Sequence, residues 1–398
     1  MAKSILLVDD ERQILRAFSR LFIDSPHEIH LVDNGRDALE LLERTPVDMV
    51  ISDMRMPEMD GYALLREVKK RHPDTIRLIL SGYADERVIF DALQNNLAKL
   101  YLFKPWNNEE LLGIVDRILN TEDELRSMRL FDTINGLDDL QVRMTTYNRL
   151  VALINEDASM DSLAGVIEED PAITTRVLRI ANSAFFGSAT GSVRQAITYL
   201  GLINVRNIVL TSSILETMPK DPVVRQRVDM LWRQSALTSR IMLLLYQKAL
   251  NRKPAGDLLT AGLLHDVGKL ITLNRFPDRF AKLFDNPDLT DVPWQDEMEI
   301  SLFGSTHTDV GAYLLNWWGM PYSLMEAARY HHRPDDDRTV NRELISVIHL
   351  ADCLAWELLG MPPKHGINPV ALRQLNLDVE RLRDIVSAEA EILLANIP

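Results

Sequence analysis

Carboxylates, a hydroxyl and an ammonium stand at the ends of four short apolar runs early in this chain. Asp9 and Asp10 follow Ser4–Val8, Asp53 closes Val47–Asp53, Ser81 follows Arg77–Leu80, and Lys104 follows Lys99–Phe103. Short apolar, β-branched runs bounded by Pro and Gly read as buried parallel strands, and ligand sites of open α/β sheets lie at the strands' carboxyl ends. Acids gathered there repel one another unless a hard divalent cation held by oxygens, here Mg2+, joins them. Asp53 as nucleophile, Asp9 and Asp10 as cation ligands, Ser81 as a hydroxyl and Lys104 as a partner for added negative charge together suit phosphoryl transfer. Positioning and charge neutralisation do most of the catalysis in that reaction. Standing alone, Asp53 has a second, less favoured reading as the N-cap of the next helix.

A second chemical group lies in the later half. Leu263-Leu264-His265-Asp266-Val267-Gly268-Lys269 sets a nitrogen and an oxygen ligand side by side on what reads as an apolar helix. His307, the pair His331-His332, and His349-Leu350-Ala351-Asp352 follow it. A metal hydrolase completes its shell from several helices in this way. A buried, mutually hydrogen-bonded His-Asp pair is the plainer reading of the same residues.

Five helical stretches separate or follow the apolar runs of residues 1–120: Arg12 to Ile23, Gly35 to Thr45, Tyr62 to Arg71, Asp85 to Gln94 and Glu109 to Asn120. This alternation predicts an α/β domain with a doubly wound parallel sheet of five strands. Leu111, Ile114, Ile118, Leu125 and Met128 then form a heptad-like stripe, so the last helix is expected to run on as a linker over 121–133. Such a linker is either solvated or pairs two copies in a homodimer. No strand pattern persists over residues 134–398, where helical stretches punctuated by Asp170-Pro171 and Gly187–Gly191 predict an all-α domain. Val193 to Ser213 has the outline of a helix-turn-helix, but Ile208, Val209, Leu210, Ile214 and Leu215 make its second helix too apolar for a DNA groove. It is expected in the core, as are Trp232, Trp294, Trp317, Trp318 and Trp356.

Leu7-Val8-Asp9-Asp10-Glu11, the Asp53 strand with its Met-Pro turn, Leu80-Ser81-Gly82 and Phe103-Lys104-Pro105 resemble, in order, a response-regulator receiver domain of flavodoxin-like fold. The resemblance covers roughly residues 3–120. It implies that Asp53 accepts a phosphoryl group, that Asp10 binds Mg2+ directly and Asp9 through water, and that the Arg55 carbonyl is a further ligand. Ser81 and Lys104 would bind the phosphoryl oxygens, and Tyr101 would be the aromatic switch. A sensor histidine kinase or phosphotransfer protein would be the donor, and a cis bond is expected between Lys104 and Pro105.

Glu169-Asp170-Pro171, Ile180–Gly187, Ala196-Ile197 with Leu200-Gly201, Gly262–Lys269, Trp318–Pro321 and Tyr330-His331-His332 look like the HDOD branch of the HD superfamily of metal-dependent phosphohydrolases. Active members take their first metal-binding histidine from an earlier helix, where this chain has Trp232-Arg233-Gln234-Ser235. Gln234 offers a neutral amide, a poor transition-metal ligand beside imidazole. Gln234, His265, Asp266, His307, His331, His332 and Asp352 are therefore expected to form a vestigial site without a catalytic metal. The cyclic-dinucleotide hydrolases of the superfamily also carry Gly-Tyr-Pro after a His pair, and here Arg333-Pro334-Asp335 follows.

With 398 residues, 46% hydrophobic and 26% charged, the composition is that of an ordinary globular chain of two or three domains. Cys353 is the single cysteine, which excludes an intramolecular disulfide and fits a reducing cytoplasm. No apolar run approaches a membrane span or a signal peptide, so a cytoplasmic location is expected. The net charge is −14, and acidic residues outnumber basic ones both before and after residue 120, against a nucleic-acid partner. The expected function is a phosphorylation-controlled two-component response regulator whose helical half binds another, unidentified protein. A phospho-regulated metal-dependent phosphodiesterase and a phospho-regulated DNA-binding protein are the alternatives.

Overall fold

A computed structural model describes residues 2–81, 97–127, 145–181, 190–216, 218, 222–252, 258–279, 296–318, 320–361 and 366–394. The chain divides into two compact units, the first comprising residues 1–127 with the short stretch 319–323 and the second the remainder.

The first unit holds β1 (Ser4–Val8), α1 (Arg12–Leu21), β2 (Glu28–Val32), α2 (Gly35–Arg44), β3 (Met49–Asp53), α3 (Gly61–Arg71), β4 (Ile76–Ser81), β5 (Leu100–Phe103) and α4 (Asn108–Ser127). Its five strands are all parallel in the order β2-β1-β3-β4-β5, the doubly wound sheet expected. Ile5, Leu6, Leu7, Val8, Met49, Val50 and Ile51 are fully buried, which is why β1 and β3 read as unbroken apolar runs rather than alternating ones. The register pairs Val8 with Ser52, Asp53 with Leu80 and Ser81 with Phe103, so the residues that end β1, β3, β4 and β5 line one edge. The Lys104–Pro105 bond is cis, as the resemblance implied.

Helix α4 runs unbroken past residue 120 to Ser127. Leu111 and Ile118 are buried within the chain, which corrects the expectation of a free stripe: these two positions pack inward and are not open to a second copy. Asp85 to Gln94 and Met128 lie outside the described residues.

The second unit contains α5 (Thr145–Asn155), α6 (Met160–Glu168), α7 (Pro171–Ala181), α8 (Val193–Leu200), α9 (Leu202–Glu216), α10 (Pro222–Leu244, ending in a π-helical turn over Leu245–Ala249), α11 (Leu258–Leu264), α12 (Val267–Arg275), α13 (Asp296–Phe303), α14 (His307–Trp317), α15 (Tyr322–Tyr330), α16 (Arg342–Leu358), α17 (Pro369–Leu375), α18 (Val379–Ala388) and α19 (Ala390–Leu394). Helices α5 to α9 pack on one another, α10 packs along α11 and α16, and α12 packs on α14. No strand occurs among the described residues of this unit. Gly201, at φ +80°, breaks α8 from α9, and Ile208, Val209, Leu210 and Ile214 of α9 are fully buried, so this pair is core and not a groove-reading motif. Trp232 and Trp356 are also buried. Trp294 and the Trp317 side chain lie outside the described residues. Among the described residues no single helix is long and apolar enough to cross a membrane.

The expectation that His265 and Asp266 ride on one helix is corrected. Helix α11 ends at Leu264 and α12 begins at Val267, with Asp266 at φ −101°, ψ 15° between them. The break frees the pair from the helical repeat and lets both side chains address one point from a buried corner.

Candidate functional sites

At the strand edge of the first unit, Lys104 lies between two carboxylates. Its Nζ donates to Asp53 Oδ1 at 2.5 Å and to Asp9 Oδ2 at 2.7 Å. The second oxygen of Asp53 accepts from the Arg55 backbone N–H at 2.6 Å, and that of Asp9 from the Glu11 N–H at 2.9 Å. Asp9 is wholly buried and Asp53 nearly so, while Asp10 is exposed at the mouth. Burial pushes the Asp9 carboxyl above its ordinary value, with the Lys104 hydrogen bond pulling the other way. Burial opposes the Lys104 ammonium, but its bonds to Asp53 and Asp9 outweigh that and hold its pKa above the ordinary lysine value.

Local structure explains why Asp53 is held there. Asp60 caps α3 by accepting from Ala63 N at 2.8 Å, and Gly61 N donates to Met54 O at 3.1 Å, folding the segment after β3 back over its end. A Cβ on Gly61 would stand 2.0 Å from the Asp53 carbonyl oxygen, so only glycine fits that approach. Ser81 is in register with Phe103, and Tyr101 with Ile79. The side chains of Ser81 and Tyr101 lie outside the described residues.

Six predicted residues of the second unit gather as well, in two groups that share His331, and Gln234 adjoins one of them. In one, ligand atoms of Asp266, His307, His331 and His332 lie within 4.8 Å of one another; in the other, His265, His331 and Asp352 do. Asp266 Oδ1 is 3.3 Å from His331 Nε2 and 3.5 Å from His307 Nε2, and His307 Nε2 is 3.2 Å from His332 Nε2. Lys269, fully buried, donates to Asp266 Oδ2 at 2.6 Å. Gln234 donates through Nε2 to Asp352 Oδ1 and to Thr238 Oγ1, and His265 Nε2 is 3.4 Å from the same Asp352 oxygen. Gln234 thus stands inside the cluster, where the sequence placed it.

Burial drives His331 down to about 4 and His332 well below the usual imidazole range, which favours their neutral, ligand-competent forms. Burial also opposes a charged His265, but Asp266 and Asp352 outweigh it and raise its pKa. For Asp266 burial works toward protonation, yet Lys269 and His265 hold its carboxyl well below the usual value. Asp352 follows the same pattern through its hydrogen bond with His265.

Glu299 escaped the sequence reading, which names His349 and Gly268 without giving them a positioning role. Glu299, buried on α13, accepts from His307 Nδ1 at 2.6 Å and from the His307 backbone N–H at 2.5 Å. Its run Asp296-Glu297-Met298-Glu299 looks like an acidic first helical turn, and only its nearness to His307 hinted otherwise. His349 donates through Nδ1 to His331 O at 2.8 Å, and Gly268 lets α12 touch α14, since a Cβ there would meet His307 O at 1.9 Å.

Comparison with known proteins agrees with this division. A family model described as a response regulator receiver domain matches residues 5–116, and one described as an HDOD domain matches residues 142–334. The regulatory protein AtoC of Escherichia coli is 29% identical over 219 residues, 54% of this chain and 45% of its own length. The chain thus spans less than half the length of that curated relative. A solved receiver domain of an HD domain-containing protein from Pseudomonas fluorescens is 34% identical, with TM-score 0.30, and covers 31% of this chain and 99% of that one. A solved phosphohydrolase-like protein from Shewanella amazonensis is 21% identical, with TM-score 0.46, over 64% of this chain and 93% of that one.

Proposed function

This chain joins a response regulator receiver domain to an HDOD domain, and from that premise we propose that Asp53 takes a phosphoryl group from a histidine kinase or phosphotransfer protein and thereby controls partner binding by the helical domain. The observation that carries the reading is Lys104 held between Asp9 and Asp53. In the reaction an Asp53 oxygen attacks phosphorus, the donor's N–P bond breaks and an O–P bond forms. Lys104 then has phosphoryl oxygens to pair with in place of a carboxylate oxygen. Asp10, Asp53 and the Arg55 carbonyl would hold Mg2+, with Asp9 acting through water; the exposed Asp10 beside buried Asp9 fits such a donor set. Bound there, Mg2+ offsets the charge of three carboxylates and the incoming phosphoryl group. Ser81 and Tyr101 take the phosphoryl-binding and switch roles on resemblance alone.

A small phosphodonor with Mg2+ is expected to add one phosphoryl group to the wild type and none to Asp53→Asn, read by intact mass. A mass shift that persists in Asp53→Asn would overturn the assignment.

The histidine cluster supports a second reading, phosphodiester hydrolysis by the helical domain. Gln234, bonded to Asp352 through its amide, speaks against it. Turnover of cyclic dinucleotides that appears with Mn2+ and vanishes in Asp266→Ala would favour that reading. DNA binding has less support, since the buried α9 offers no groove-reading face.

A further inference from the structure

The N-terminal part of α10 turns a stripe of side chains outward, Arg225, Asp229 and Arg233 following one another at every fourth residue. Opposite them stand Leu359, which caps the end of α16, and Met361, and with Met230 these residues line a cleft of about 840 Å³. Both walls belong to the helical unit, and Leu359 and Met361 lie beyond residues 142–334, which the HDOD model matches. Arg233 is exposed whereas its neighbour Gln234 is fully buried, so the cleft opens to solvent and the histidine cluster does not. Arg227 adds a third guanidinium to the lining, against the one carboxylate of Asp229. Among the described residues the guanidinium groups of Arg225 and Arg233 have no hydrogen-bond or ion-pair partner, although Asp229 lies four residues from each. A chain of net charge −14 therefore presents a local basic cleft with a half-buried apolar floor of Met230, Leu359 and Met361.

We propose that this cleft receives an acidic segment of the partner protein, with carboxylates on Arg225 and Arg233 and an apolar side chain between them on Met230, Leu359 and Met361. This rests on the reading that the helical domain binds another protein. Arg225 and Arg233 stand about 12 Å apart along the helix axis, farther than one phosphate group spans but within reach of two carboxylates on one peptide. Small-molecule sites enclose most of their ligand, whereas Arg225, Asp229 and Arg233 are exposed, which suits a chain segment laid along the surface. The two methionine thioethers of the floor adapt to different apolar side chains, and arginine is among the residues enriched at protein interfaces. Charge supplies the selection: the acidic remainder of the chain repels an acidic partner and steers it to this one place.

The test is selection of random displayed dodecapeptides on the immobilised full chain, followed by fluorescence anisotropy of the enriched peptides against variants. Enriched peptides are expected to carry Asp or Glu on both sides of an apolar residue and to bind more weakly as salt rises. Arg225→Glu combined with Arg233→Glu is expected to weaken binding about tenfold or more, and Met361→Asp to weaken it as well. Arg373→Glu combined with Arg381→Glu makes the same change in net charge at exposed positions outside the cleft and is expected to leave binding unchanged, with circular dichroism confirming the fold of each variant. Enriched peptides that lack acidic residues, or that bind the Arg225→Glu, Arg233→Glu protein as tightly as the wild type, would overturn the cleft and leave protein binding by the helical domain standing. Enrichment of no peptide at all would count against both.

Discussion

Lys104 is balanced between Asp9 and Asp53, so the same ammonium that quiets two carboxylates is the group a phosphoryl oxygen would recruit. Gly61 sets how closely the chain can fold over that site. Alanine there would drive a Cβ into the Asp53 carbonyl, and displacement of backbone costs more than displacement of a flexible side chain. Gly61→Ala is expected to lower unfolding free energy by about 1–3 kcal/mol and to slow phosphorylation of Asp53. Chemical denaturation and intact mass with a small phosphodonor check both; unchanged stability would show that the close approach is not a constraint. Asp9, Asp53 and Lys104 were legible in the sequence because each directly ends an apolar strand. Glu299 was not, since a buried acid that orients a histidine has the same local sequence as an acid at a helix start.

The turn after the histidine pair is held by one carboxylate. Asp336 accepts from the Arg338 backbone N–H at 3.0 Å and from its Nε and Nη2 at 2.9 and 2.7 Å, while Glu326 accepts from Val340 N at 2.6 Å and Asn341 N at 3.0 Å to start α16. The hydrogen bond from Arg338 holds the Asp336 carboxyl below its ordinary value of 3.8. The folded state therefore binds that proton more weakly than the unfolded chain. Its stabilisation is present above pH 3.8 and is lost as pH falls through and below that value. Asp336→Asn is expected to be less stable than wild type at neutral pH, with the gap held down to about 3.8 and narrowing as the pH falls below that value; a gap that stays constant below 3.8 would contradict the assignment. At this scale the sequence placed α1, α2 and α3 to within a residue or two, Asn34 and Asp60 marking the starts of the last two as caps. It missed the break at His265-Asp266, where no Gly or Pro intervenes and the apolar run continues on both sides. That break is set by packing: Gly268 allows α12 to close on α14, and Asp266 is drawn between Lys269 and the histidines.

The order of the two domains was readable because each half keeps its own hydrophobic period, strand alternating with helix before residue 120 and helix alone after it. Their coupling was not, since it resides in an energy difference between two states and not in any residue type. A phosphoryl group adds about 1.5–2 negative charges at Asp53, and control of the output needs a coupling of about 1–3 kcal/mol between that site and the helical domain. Its transmission is expected through the face made by residues 85–94, β5 and α4, of which 85–94 lie outside the described residues. Hydrogen exchange of the full chain with and without beryllofluoride, a phosphoryl mimic, tests this most directly. The account predicts altered protection at the Asp53 edge, in α4 and in helices of the second unit, all absent in Asp53→Asn. Protection that changes at the Asp53 edge alone, with the helical domain exchanging identically in both states, would contradict it.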